Sequence, residues 1–151
     1  MRISANSSRE PVTFLASYFD FDPANGILRC RFVGKITNEA IREYYQLGRE
    51  KAELTSPRAA ILDLSGVSLF EISQETVREL AKLPPAVEDP RCPRCIIATS
   101  PQTFGMARMF EIQGQGTRPN LYIVRSEQEA FAILGVHEPR FAAIAARLEK
   151  A

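Results

Sequence analysis

The sequence has no tryptophan, one histidine and three cysteines among its 151 residues. A single histidine, His137, rules out any centre built on paired imidazoles, and it lies near the C-terminus between two helical segments. No Ser-His-Asp, Cys-His, metal or paired-carboxylate set can be assembled, so the chain reads as a non-enzyme with no cofactor and no bound metal. Three cysteines leave at least one thiol unpaired, and a chain of this length needs no disulfide framework; a reducing, cytoplasmic compartment follows. Charge of one sign is also missing: nineteen Lys and Arg against eighteen Asp and Glu give +1, which argues against nucleic acid or an anionic membrane surface as a general partner. No segment approaches the roughly eighteen apolar residues that would span a bilayer, and Met1 to Pro11 lacks the apolar stretch of a signal peptide. Nor is there a Pro-, Gly- or Ser-rich linker. The expectation is a loosely held arm over residues 1–11 and one domain over residues 12–151.

What is present is alternation of strand and helix signals. Val12 to Asp20 and Ile27 to Val33 flank Asp22-Pro23-Ala24-Asn25-Gly26, the pattern of a β-hairpin. Thr37 can cap a helix carrying Ile41, Tyr44, Tyr45, Gly48 and Ala52 on one face. Ala59 to Leu64 is a short apolar run, the pattern of a strand buried on both faces, and Ser65 to Ile72 reads as a loop. Ser73 can cap a second helix that Pro84-Pro85 stops; Cys95 to Thr99 is another strand; Ser100-Pro101 opens a third helix to about Ile112. Leu121 to Val124 is a last strand, and Ser126 with Glu129 forms a capping box that starts a fourth helix ending at Gly135. Phe141, Ile144, Ala145 and Leu148 space like a fifth, amphipathic helix from about Pro139. This order predicts an α/β sandwich: about five strands in a mostly parallel mixed sheet, an N-terminal hairpin and four to five helices.

The segment Ile61-Leu-Asp-Leu-Ser-Gly-Val-Ser-Leu-Phe-Glu-Ile-Ser73 resembles the signature of STAS domains, the sulfate-transporter and anti-sigma-factor-antagonist family. Ile96-Ile-Ala-Thr-Ser-Pro101, Phe110, Ile123-Val-Arg-Ser-Glu-Gln-Glu-Ala130 and Leu134-Gly135 follow the same family order, so the likeness runs from about Val12 to Gly135. The Phe104 to Phe110 stretch and the long opening hairpin look more like the SpoIIAA-like branch of small bacterial proteins. The resemblance implies a cytoplasmic signalling module that binds a protein, anti-sigma-factor or kinase-like, and is switched by phosphorylation of the serine opening the second helix. By position that serine is Ser73, although the family's Asp-Ser-Ser-Gly is here Glu71-Ile72-Ser73-Gln74.

Each candidate has a structural reading beside the functional one. Ser73 satisfies a helix N-terminus whether or not it is modified, and a phosphate there would add about two negative charges beside Glu71 and Glu75. Asp63 closes a central strand next to Ser65 and Ser68; it either edges a recognition surface or accepts bonds from loop amides. Met106, Met109 and Phe110, with Phe104, carry bulk around more of the third helix than one stripe requires, either as a partner or homodimer face or as ordinary packing. Cys92-Pro-Arg-Cys95 has redox-pair spacing but leads into a strand, which makes ordinary thiols the simpler reading. The binding surface is thus expected to combine Asp63, Ser65, Ser68, Glu71 and Ser73 with the third helix. The rival function is a carrier of a small hydrophobic, lipid-like molecule in a pocket beneath the C-terminal helices.

Overall fold

The Asp22 carboxylate closes the first turn by accepting from the Ala24 amide at 3.1 Å and from Asn25 Nδ2 at 2.7 Å, while Gly26 takes a positive φ of 68°. The turn joins β1 (Ala16–Asp22) to β2 (Ile27–Thr37), antiparallel from Asp22 opposite Ile27 to Ala16 opposite Val33. The structure, a computed structural model, describes residues 16–144. The expected arm over residues 1–11 and the start of the first strand, residues 12–15, lie outside that range.

Thr37 Oγ1 accepts from the Ala40 amide at 3.2 Å and starts α1 (Asn38–Thr55), which ends at Ser56 in the left-handed region. β3 (Ala59–Glu71) then leads through the Ser73 cap into α2 (Gln74–Ala81). β4 (Arg94–Ile97), α3 (Pro101–Gln113) capped by Ser100, β5 (Leu121–Val124) and α4 (Glu127–Leu134) capped by Ser126 follow. The strand order is β5-β4-β3-β2-β1-β6, parallel from β2 to β5 and antiparallel on both sides of β1. The fold is α/β as expected, with six strands in place of about five.

Two segments differ from the sequence reading. Ser65 to Glu71, expected as a loop, continues β3 because β2 extends equally far and pairs with it in parallel. Two register shifts accommodate the match, one at Arg31/Val33 facing Gly66 and one at Gly34/Lys35. A Cβ at position 66 would stand 2.7 Å from the Phe32 carbonyl oxygen, so only glycine fits there, and Gly34 has φ 109°. The expected fifth helix is likewise replaced, where it is described, by β6 (Ala142–Ala143), whose register with Phe21 and Asp20 extends the sheet beyond β1. Ala145 and Leu148 fall outside the described residues.

Alternation of side chains splits the core in two. Leu28, Cys30, Phe32, Leu64 and Ile96 point to one face, which α1, α2 and α3 cover. Ile27, Ile61, Cys95, Ile97 and Val124 point to the other, covered by Ala130 of α4 with Phe131, Leu134 and Phe141. Among the described residues no helix is long and apolar enough to cross a membrane.

Candidate binding surface and cavity

Ser73 is exposed at the end of the β3 arm. Its hydroxyl oxygen accepts from the Thr76 amide at 3.1 Å and bonds Thr76 Oγ1 at 3.0 Å, and its own amide donates to Asn38 Oδ1 at 2.9 Å. The side chain therefore caps α2, and the backbone ties that cap to the start of α1. Glu71, Gln74 and Glu75 beside it are exposed, with Lys35 Nζ 3.2 Å from the Glu71 carboxylate. Gln102 Nε2 of α3 donates to the Phe70 carbonyl at 3.2 Å, so the first turn of α3 lies alongside the same tip.

Asp63 does not share this surface. It is buried, accepts from the Ser65 amide at 2.9 Å, and stands where β3 still pairs with β4. From Asp63 to Glu71 the strand runs alongside Arg31 to Thr37 of β2 and so advances about 20 Å at the usual rise. Ser65 and Ser68 are exposed along that stretch, leading to Glu71. On α3, Met106 and Phe110 turn toward the core and line an internal cavity, while Met109 is half-buried. The outward apolar group of this helix is Ile112, 57% exposed, which sequence spacing alone does not single out.

The cavity occupies about 160 Å³ between the sheet and α1, α2 and α3. It lies on the sheet face opposite α4, not beneath the C-terminal helices. Its walls are almost entirely apolar, Phe19, Leu28, Leu80, Val87 and Phe110 among them, yet Arg94 and Arg118 also line it. Sequence reading missed both; the available signal was an arginine opening the otherwise apolar strand Arg94-Cys-Ile-Ile.

The three thiols are free and buried. Cys92 and Cys30 belong to the helix-covered α1–α3 core and Cys95 to the opposite one, so Cys92 and Cys95 do not form a redox pair. Burial pushes the Cys95 thiol from 9.0 up to about 11 and raises Cys30 and Cys92 as well. Between pH 9 and 11 the unfolded chain has released the Cys95 proton while the folded chain retains it, so stability falls as pH rises through that window. Melting temperature measured from pH 8 to 11 should decline, and Cys95→Ala should flatten part of the decline. Equal slopes in both proteins would contradict this account. Among the described residues no group of three His, Cys, Asp or Glu side chains is placed to hold a metal ion.

No family model and no curated protein sequence matches this chain. Solved structures do. An anti-sigma factor antagonist from Mycobacterium paratuberculosis superposes with a TM-score of 0.58 at 17% identity, covering 85% of this chain and all of that one. The Bacillus cell fate determinant SpoIIAA in its phosphorylated form gives 0.51 at 16% identity over 79% of this chain and 99% of that one. The anti-sigma factor antagonist SpoIIAA in its unphosphorylated form gives 0.53 at 13% identity over 82% and 100%. With the parallel β2 to β5 core, the opening hairpin and α2 begun by a serine cap after β3, the chain has the STAS/SpoIIAA-like fold.

Proposed function

We propose that this protein is a non-enzymatic regulatory module that binds another protein, of the anti-sigma-factor or kinase-like kind, and that phosphorylation of Ser73 switches the binding. The observation that carries this is the placement of Ser73: an exposed residue whose hydroxyl caps a helix N-terminus, on a tip bordered by Glu71, Glu75 and the start of α3. The fold shared with anti-sigma factor antagonists, one of them known in a phosphorylated form, supports it. In this reading Ser65, Ser68, Glu71 and Met109 contribute the contact surface, while Asp63, Met106 and Phe110 hold it from within. A phosphate on Ser73 would keep an acceptor for the α2 amides and gain from the helix dipole, but would place about three to four negative charges, with Glu71 and Glu75, on one small tip. A partner that docks on the uncharged hydroxyl is then repelled.

The direct test is phosphosite mapping of the protein purified from its native cell under growth and stress; a Ser73 unmodified in every condition would end the switch reading. The cap can be measured separately. Ser73→Ala should lose about 1 kcal/mol in urea unfolding, while Ser73→Asp, which caps equally well and favours the helix dipole, should stay within about 0.5 kcal/mol of wild type. A costly Ser73→Asp would show that the tip does not tolerate charge in the folded chain.

A second reading, a carrier for a small apolar molecule, is favoured by the cavity under α1 to α3, whose walls are nearly all hydrocarbon.

A further inference from the structure

We propose that the cavity binds an amphipathic anion, a carboxylate on a short apolar tail, with the carboxylate on Arg118 and the tail among Leu80, Val87 and Phe110. The inference rests on the carrier reading and adds the ligand's charge to it.

The argument is one of unbalanced charge. A guanidinium cannot shed its proton, and burying a charge without a counter-charge is among the costliest arrangements in a folded chain. Arg94 and Arg118 are 6% and 8% exposed, and no ion pair among the described residues involves either. Elsewhere this chain balances even a half-buried arginine: Arg29 forms a two-pronged pair with Asp20. Arg94 donates instead to the carbonyls of Cys92 (2.7 Å), Asp89 (3.0 Å) and Val87, which commits its fork to the loop over the cavity. Arg118 gives Nη1 to the Ala81 carbonyl at 3.1 Å and lies over the Phe110 ring at 4.7 Å. That leaves Arg118 with donors in a fixed planar fork, the shape that matches the two oxygens of a carboxylate. The Asp89 charge acts on Arg94, whereas Arg118 feels the like charge of Arg94, so Arg118 is the guanidinium that an anion would balance.

Size and access fit the same ligand. A cavity of about 150 Å³ in another protein holds benzene, so about 160 Å³ accepts one ring or a short alkyl chain and excludes a full lipid. Pro85 lines both the cavity and an open depression formed with Lys82, Pro84, Glu88, Gly116 and Thr117, so the depression borders the cavity on the side where the chain runs into Arg118.

The probes are octanoate and 1-octanol, alike in tail and different in charge, titrated calorimetrically into the whole protein at pH 7.5. Octanoate should bind at least about tenfold more tightly than octanol. Arg118→Gln should erase that preference without changing octanol affinity; if this variant fails to fold, Arg118→Lys and the wild-type comparison carry the test. Ala107→Phe, which adds a ring at the cavity wall and leaves both arginines in place, should weaken both probes. Equal affinities for the two probes would overturn the anion while leaving an apolar carrier, and no binding by either would overturn both.

Discussion

Asp20→Ala should lower the unfolding free energy by about 3–5 kcal/mol, one of the largest single-residue losses available outside the apolar core. Asp20 is buried on β1, directly opposite Arg29 of β2, and accepts from Arg29 Nε and Nη2 at 2.9 Å each. Arg31 Nη2 reaches the same carboxylate at 3.3 Å. Removing the carboxylate strands one nearly buried guanidinium and loosens a second, and the damage spreads because Arg29 also joins elements distant in sequence. Its Nη1 pairs with Glu127 of α4 at 2.9 Å, and its guanidinium carbon lies 3.8 Å from the centre of the Phe141 ring, just ahead of β6. Glu127 is the exposed partner, so Glu127→Ala should cost less than about 1 kcal/mol. Urea unfolding of the two variants checks the contrast, with a melting temperature lower by roughly 10 °C expected for Asp20→Ala alone. Similar small losses in both would mean that solvent screens the Asp20 pair as it does the Glu127 pair.

Capping was legible in the sequence because it is local. Thr37, Ser73, Ser100 and Ser126 each accept from the amide three residues on, and nothing beyond the next turn is needed to predict it. The length of β3 was not legible. Ser65-Gly66-Val67-Ser68 has loop composition, and only pairing with a distant β2, through the bulge that Gly66 permits, makes it a strand. The same override acts at Ala142-Ala143, where helix-favouring alanines bond to the open edge of β1. At the candidate surface, the position of Ser73 followed from its cap, but the separation of Asp63 from it depended on the unforeseen strand. Arg94 and Arg118 could not be placed because a buried, unbalanced charge is a property of packing. Spacing also left open which way Met106 and Phe110 face, since α3 carries bulk on several sides and only its contact with the sheet selects the inward ones.

Phe32→Ala should cost about 3–5 kcal/mol and should also disturb the cavity, although Phe32 is not part of its wall. The side chain is 1% exposed and meets the Tyr44 ring edge-on, centroids 5.0 Å apart at 75°. Tyr44 in turn stacks on Phe19 at 5.9 Å, and those two rings do line the cavity. Phe32 therefore backs the wall: without it Tyr44 can drop into the vacated space, and α1 loses an aromatic contact with β2. Denaturation should show an earlier midpoint with an unchanged denaturant slope, since the folded and unfolded states still differ by nearly the same surface. Octanoate affinity should fall in the same variant. Asp20→Ala provides the control, because Asp20 follows Phe19 on β1 and so points to the opposite face of the sheet. It should be comparably destabilised yet bind octanoate as wild type does, under conditions where both variants remain folded. If both lost binding in step with stability, the cavity would be responding to general loosening; loss in Phe32→Ala alone locates the ligand on the α1 to α3 face.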